Sequence, residues 1–188
     1  MLVGLLGHHI AYSASPAMQN AAFKAAGLDD WSYELFDVPP EELASAVAAL
    51  RLPGRAGANV TIPHKLAVIS LLDACDELST RVGAVNFIRR DGDQLIGGNT
   101  DVAGVRAALE EVGWQGGRAV IRPADLPRLA VIDLVYVAGG TPLVAAARAA
   151  GLPFADGWAV LVAQGAASFT GWTSLPAPSE AMRAALAT

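Results

Sequence analysis

The spacing of apolar and polar positions predicts a regular alternation of strands and helices over the first 72 residues. Leu2 to Leu6 is a short unbroken apolar run of strand length, and Ser15-Pro16 then opens an alanine-rich segment that stops at Gly27. Ser at the N-cap, Pro at the first helical position and Gly at the end are the punctuation of a helix. Trp31 to Val38 alternates with period two and predicts a strand; Pro39-Pro40 breaks it. Glu41 to Leu52 places acidic residues in a predicted first helical turn, where the backbone dipole favours them. Gly57 to Val60 predicts a third strand, and Pro63 a third helix running through Leu72. Three such units in succession predict an α/β fold with a parallel-rich sheet.

The period then changes. Ala84–Arg89 and Gln94–Ile96 read as two extended runs joined through Asp91-Gly92, the signature of a hairpin. An amphipathic helix from about Val102 to Val112 follows Asn99-Thr100-Asp101, with Thr100 or Asp101 as its cap. Beyond Gly113 the pattern thins to a short strand at 118–121, a connector containing Pro123 and Pro127, a strand over 130–137, and a helix from Gly139-Gly140-Thr141-Pro142 to Gly151. Residues 157–172 and 179–186 predict two closing helices that pack back on the first domain. The expected division is 1–103 with 157–188 as one domain and 104–156 as a smaller second one.

Composition supports a buried core, with 53% hydrophobic and 16% charged residues. A net charge of -5 and the lack of any basic run argue against a nucleic-acid partner, which needs clustered Lys and Arg to displace counterions. No apolar run reaches the roughly 18 residues that a bilayer span requires, since charges or Gly and Pro interrupt every candidate, so no membrane partner is expected. The single cysteine, Cys75, provides no intramolecular disulfide and no thiolate metal cluster, which fits a reducing cytoplasm. Lysine is scarce: Lys24 and Lys65 stand against eleven arginines. Where Arg is the default surface cation, a Lys fits a task Arg cannot perform, such as giving up a proton.

Three polar clusters sit beside predicted strand ends, where α/β folds place ligands. Ser13 and Ser15 put two hydroxyls at a helix start, a cradle for a carboxylate, although Ser15 by itself also reads as a plain cap. Thr61 lies at the end of a strand and Lys65 in the expected first helical turn, where the dipole opposes a cation and should ease proton donation. Asn86 and Asn99-Thr100-Asp101 form the third cluster; Asp101 reads either as a helix cap or as the partner of Lys65 in proton transfer. Together these groups suit a small ligand carrying a carboxylate and several hydroxyls, and no metal set is apparent.

Four ordered motifs carry a resemblance: residues 7–16 ending Tyr12-Ser13-Ala14-Ser15-Pro16, then Gly57 to Lys65, Gly83-Ala84-Val85-Asn86, and Asn99-Thr100-Asp101. They closely resemble the substrate-binding domain of shikimate dehydrogenases, and Asp133-Leu134-Val135-Tyr136, Thr141-Pro142-Leu143 and Ala155-Asp156-Gly157 to Gln164 resemble the C-terminal part of the same family. The resemblance implies NADP-dependent interconversion of 3-dehydroshikimate and shikimate. It implies that Ser13, Ser15 and Tyr136 hold the carboxylate, that Thr61, Asn86 and Gln164 reach ring hydroxyls, and that Lys65 and Asp101 are the catalytic pair. Quinate differs from shikimate at one ring position, and the adjacent Ser13 and Ser15 tilt the expectation to shikimate.

The departures from the family gather on the cofactor side. Only 31 residues separate Asp101 from Asp133, where the family carries a nucleotide-binding half, and Arg122-Pro123 stands where its glycine-rich turn would be. The expected architecture is therefore the family's substrate domain with a truncated Rossmann-like remnant that lacks a pyrophosphate grip. Gly139-Gly140 lacks the third glycine of such a loop, and Gly113 to Gly117 follows no strand. Gly157-Trp158-Ala159-Val160 replaces the Gly-Leu-Gly-Met stretch that the family usually sets beside the nicotinamide. These features predict shikimate binding with the family reaction weak or lost in the isolated chain; the alternatives are an active enzyme whose cofactor site a partner chain completes, and a ligand sensor without chemistry. Loss of cover from the strand over 130–137 also predicts a homodimer formed through the second domain.

Overall fold

The computed structural model describes residues 1–113, 130–137 and 139–186, and the chain divides into two compact units, Met1–Thr100 with Gly165–Thr188 and Asp101–Gln164. The strand expected over 118–121 and the connector with Pro123 and Pro127 lie outside the described residues.

Unit 1 is built on a six-stranded sheet. In chain order it contains β1 (Leu2–Gly7), α1 (Ser15–Ala25), β2 (Ser32–Asp37), a short 3-10 turn at Pro40–Glu42, α2 (Leu43–Ala49) and β3 (Gly57–Val60). After a 3-10 turn at Ala67–Leu71 come β4 (Ala74–Cys75), α3 (Glu77–Val82), β5 (Phe87–Asp91) and β6 (Gln94–Gly98). The strand order is β2-β1-β3-β5-β6-β4. β1 runs parallel to both β2 and β3, β5 is antiparallel to β3 and β6, and β4 is parallel to β6. β1 is buried along nearly its whole length, which is why it reads as an unbroken apolar run. On one side Leu6, Ala58 and Ile88 meet Leu43 and Val47 of α2 and Leu50 just beyond its end. Burying each such side chain contributes about 1.5–3 kcal/mol. The Gly92-Asp93 loop of the β5–β6 hairpin has Gly92 at φ +62°, the left-handed geometry a two-residue turn needs.

The last segment of the chain completes this unit. Its helix α7 (Ser179–Leu186) packs on α1, Phe169 stacks on Phe23 with ring centroids 5.5 Å apart, and the Trp172 indole donates to the Ile88 carbonyl at 2.9 Å. Gly57 makes that approach possible: at φ +146° a Cβ there would lie 2.0 Å from the Ile88 carbonyl oxygen and 2.8 Å from the Trp172 Nε1.

In unit 1 two expectations need correction and two elements are added. The helix expected from Pro63 to Leu72 is a turn followed by the short 3-10 segment. The Lys65 carbonyl accepts from the Val85 N–H at 2.9 Å, so it is taken by the segment that leads into β5 instead of by Ile69, whose N–H goes to Leu66. The buried His64 ring fixes the turn through Nε2, 2.7 Å from the Val38 carbonyl. Ser15 is not the N-cap of α1: Ala14 holds that position, and the Ser15 N–H donates to Ser13 Oγ at 3.2 Å. β4 and α3 are additional elements, α3 being capped by Asp76, whose Oδ1 accepts from the Ser79 N–H at 2.6 Å.

Unit 2 begins with α4 (Asp101–Glu111) and contains β7 (Val131–Ile132), α5 (Pro142–Ala149) and β8 (Phe154–Ala155), with the two strands pairing in parallel. The long helix α6 (Gly157–Thr173) starts in unit 2 and ends in unit 1. The strand expected over 130–137 shrinks to two residues for two reasons. Its partner β8 offers only two, and the Asp133 carboxylate captures the Val135 N–H at 3.0 Å together with the Thr141 hydroxyl, replacing ladder bonds with side-chain ones.

Candidate functional site

The parallel pairing in unit 1 sets which loops gather. Since β1 and β3 run the same way, and β6 runs with β3 after two antiparallel steps, the segments leaving β1, β3 and β6 and the segment entering β5 all emerge at one end of the sheet. Those segments carry Ser13 and Ser15, Thr61 and Lys65, Thr100, and Asn86 respectively. Backbone bonds tie them together: the Val60 N–H donates to the Asn86 carbonyl at 2.8 Å, and the Val85 N–H to the Lys65 carbonyl at 2.9 Å. Ser13, Ser15, Thr61, Lys65 and Asn86, the unit 1 residues that the resemblance assigns to the site, thus lie on segments gathered at one end of the sheet. Lys65 sits in a turn, so the helix dipole expected to ease its proton donation does not act on it.

The first loop is braced from outside. Asp37 Oδ1 accepts from the backbone N–H of His9 at 2.9 Å and lies 3.0 Å from His8 Nδ1. The His9 N–H holds the Asp37 carboxyl below its ordinary value, with a smaller contribution from the His8 side chain. His9 adopts a left-handed φ of +58°, which this bracing supports. Gly7 lets the loop pass Thr61, since a Cβ there would stand 2.5 Å from Thr61 Cγ2 and 2.7 Å from Ile10.

Beneath the loops lies a buried polar layer that the sequence reading missed. The Tyr33 hydroxyl donates to Asn59 Oδ1 at 3.0 Å, and Asn59 Nδ2 donates to the Asn86 carbonyl at 3.1 Å and to Ser168 Oγ at 2.8 Å. Asn86 and Thr100 grip each other: the Thr100 N–H donates to Asn86 Oδ1 at 2.6 Å, and Asn86 Nδ2 donates to Thr100 Oγ1 at 3.0 Å. Burial pushes the Tyr33 hydroxyl far above its ordinary value, against a smaller opposing effect of the Ser15 side chain. A polar residue within an otherwise apolar strand, as Asn59 is in Gly57–Val60, was the available signal.

Asp101, Tyr136 and Gln164 belong to unit 2. Asp101 is the first residue of α4 and follows Thr100 directly. α4 crosses α6 at Gly104, where a Cβ would meet the Val160 carbonyl at 2.9 Å and Gln164 Cβ at 3.1 Å. Gln164 Nε2 donates to the Leu161 carbonyl at 3.0 Å. The Tyr136 ring lies 4.9 Å from that of Trp158, whose indole donates to the Val137 carbonyl at 3.2 Å. Gly157 sits on this backbone, leaving 2.5 Å between a Cβ and the Val135 carbonyl carbon.

Unit 2 also allows a test for a phosphate grip. The start of α5 follows Gly139 and Gly140, but its cap Thr141 donates to the Asp133 carboxylate and accepts from the Val144 N–H at 3.2 Å. A carboxylate therefore already faces this helix start, and hydrogen bonds from Thr141 and Val135 hold its pKa below the ordinary value. The cations among the described residues of unit 2 are Arg106 and Arg148, and Arg148 lies 5.3 Å over the Phe154 ring. These residues do not fit a pyrophosphate. The Arg122-Pro123 position lies outside the described residues. Among the described residues no group of three metal-ligating side chains occurs, and no helix is long and apolar enough to cross a membrane.

Comparison with known proteins matches residues 5–88 to the family model of the shikimate dehydrogenase substrate binding domain and residues 157–187 to that of the shikimate 5'-dehydrogenase C-terminal domain. A shikimate dehydrogenase (NADP(+)) of Geobacter metallireducens is 46% identical over 148 residues, covering 77% of this chain and 51% of that protein. The chain spans about half the length of that relative. The corresponding protein of Anaeromyxobacter dehalogenans is 32% identical over 267 residues, covering 98% of this chain and 95% of its own. That aligned span exceeds the 188 residues here, so the relative carries a segment within it that this chain does not. Among solved structures, the Thermus thermophilus enzyme in complex with NADP(H) and shikimate superposes with a TM-score of 0.85 at 28% identity, covering 98% of each chain.

Proposed function

Because the chain belongs to the shikimate dehydrogenase family, we propose that it binds shikimate or 3-dehydroshikimate, and that NADP-dependent reduction of 3-dehydroshikimate is weak or lost in the isolated chain. The observation that carries the first half is the gathering of Ser13, Ser15, Thr61, Lys65 and Asn86 at one end of the unit 1 sheet, within the span matched to a substrate-binding domain. Hydroxyls of Ser13 and Ser15 suit a carboxylate, with Tyr136 as the third contact; Thr61, Asn86 and Gln164 suit ring hydroxyls. Lys65 would give a proton to the developing alkoxide and Asp101 would orient the hydroxyl.

What supports the second half is the poor fit of the described unit 2 residues to a pyrophosphate, together with the short stretch between Asp101 and Asp133. NADP, when bound, supplies the hydride; this chain's residues as described supply the acid–base groups.

Calorimetric titration tests the halves separately. Heat is expected with shikimate and none with NADP. Absence of heat with shikimate would refute ligand binding, and turnover by the purified chain alone at rates typical of enzymes, followed by NADPH absorbance, would refute the loss of activity. The exposed Leu134, Val135, Val137 and Leu143 of unit 2 support association of two copies; a clean monomer in light scattering would exclude it.

A further inference from the structure

The buried polar layer of unit 1 has directions that follow from which groups can only donate or only accept. The Asn86 carbonyl can only accept, so Asn59 must turn its NH2 toward it; Asn59 Oδ1 then faces Tyr33, whose hydroxyl donates. The Thr100 N–H can only donate, so Asn86 must turn Oδ1 toward it, and this fixes the Asn86 NH2 on the other edge, where it donates to Thr100 Oγ1 at 3.0 Å. Two amides that could flip are thereby each fixed by a backbone group.

Ser168 joins the two halves. Its Oγ accepts from Asn59 Nδ2 at 2.8 Å and lies 3.1 Å from Thr100 Oγ1. It is fully buried, and Tyr33, Asn59, Asn86 and Thr100 are each no more than 9% exposed, so solvent cannot stand in for a missing partner. Removing the hydroxyl takes one partner from Asn59 and one from Thr100, whose Oγ1 also lies 3.2 Å from Asn86 Oδ1, and so relaxes the geometry of the Thr100–Asn86 pair.

We propose that Ser168 is a positioning residue for the hydroxyl-recognising side of the site: by bridging Asn59 to Thr100 it holds the Thr100–Asn86 pair in the arrangement that offers the Asn86 amide as a donor to a ligand hydroxyl. The proposal rests on the shikimate-binding reading. It makes no demand on the cofactor.

The test compares Ser168→Ala with Val47→Ala, a core truncation in α2 that touches none of these groups, in the full chain. Two quantities are read by nuclear magnetic resonance. The first, without ligand, is hydrogen exchange of the Thr100 amide relative to the amides of β1. The second is the ratio of dissociation constants for cyclohexene-1-carboxylate and shikimate, which isolates the contribution of the hydroxyls because the two share the ring and the carboxylate.

Ser168→Ala should speed Thr100 exchange about tenfold beyond any change in β1 and lower the ratio about tenfold, the size of one buried hydrogen bond. Val47→Ala should move neither. Unchanged relative exchange at Thr100 overturns the proposal. So does faster exchange with an unchanged ratio, which would make Ser168 merely structural. A wild-type protein that binds shikimate no better than cyclohexene-1-carboxylate sinks the shikimate reading, and the proposal with it. A wild type that discriminates beside a Ser168→Ala variant that discriminates equally sinks the proposal alone.

Discussion

Replacing Tyr33 with Phe removes one oxygen and nothing else. The ring keeps its place against Trp172, at a centroid distance of 6.1 Å, so no cavity opens. What is lost is the donor to Asn59 Oδ1, together with the hydrogen bond between the hydroxyl and the Ser15 side chain. Asn59 cannot flip to compensate, because Nδ2 is held by the Asn86 carbonyl and Ser168. With Tyr33 2% and Asn59 5% exposed, the orphaned acceptor bears most of its desolvation penalty, about 2 kcal/mol. At a typical dependence of about 2 kcal/mol per molar urea, the midpoint should fall by about 1 M, followed by circular dichroism. A second signature is alkaline. The folded-state pKa of Tyr33 is raised, so its contribution to stability is intact below the unfolded value of about 10 and is lost as pH rises above it. Wild-type stability should therefore decline more steeply than that of Tyr33→Phe above about pH 10, by up to about 1.4 kcal/mol per pH unit. An unchanged urea midpoint, or identical alkaline slopes, would refute the assignment of Tyr33 as a buried donor.

Ser15→Ala should weaken shikimate binding about tenfold by calorimetry, through loss of one charge-assisted hydrogen bond to the carboxylate, and should also lower the thermal midpoint, because the Ser15 side chain hydrogen-bonds the buried Tyr33 hydroxyl. Asp37→Asn should loosen the loop that bears Ser13, seen as faster amide exchange at His9. Because the folded pKa of Asp37 is lowered, the wild-type brace is present above the ordinary carboxylate range and is lost as pH falls through the folded value, so the two proteins should converge in acid. Gly57→Ala should destabilise unit 1 by about 3 kcal/mol or more, since the new Cβ meets a carbonyl that is also the acceptor for Trp172; a variant with wild-type melting would contradict the close packing described.

What was legible in the sequence was what neighbours along the chain decide. The β1, β2 and β3 strands follow from local period, and the β5–β6 hairpin from Asp91-Gly92. The α3 helix was equally local, with Asp76 at its cap and Gly83 at φ +73° beyond its end, and its signals passed unread. The misplaced helix after Pro63 failed for a different reason. The group that claims the Lys65 carbonyl is Val85, twenty residues on, and local propensity says nothing of it. The candidate site divides in the same way. Residues that face a ligand advertise themselves as polar clusters in loops. Tyr33, Asn59 and Ser168 act on one another across the fold, and Ser168 inside an alanine-rich helix looks like a neutral surface residue until the structure shows it fully buried.

The chain leaves unit 1 after Thr100 and re-enters it at Gly165, and the returning segment brings Phe169, Trp172 and Met182, all buried. Seen from unit 1, everything from Asp101 to Gln164 is an insertion with two fixed ends. The entropy of closing such an excursion grows only with the logarithm of its length, about 0.6 kcal/mol for each doubling. Genes can therefore lengthen or shorten that insert at little thermodynamic penalty to the sheet that carries Ser15, Thr61 and Lys65, provided the C-terminal helices still come home. The same topology delays assembly during synthesis: the ribosome must deliver the segment through Met182 before the face around Phe23 and Phe87 is closed, so termination ahead of that segment leaves the face bare to chaperones and proteases.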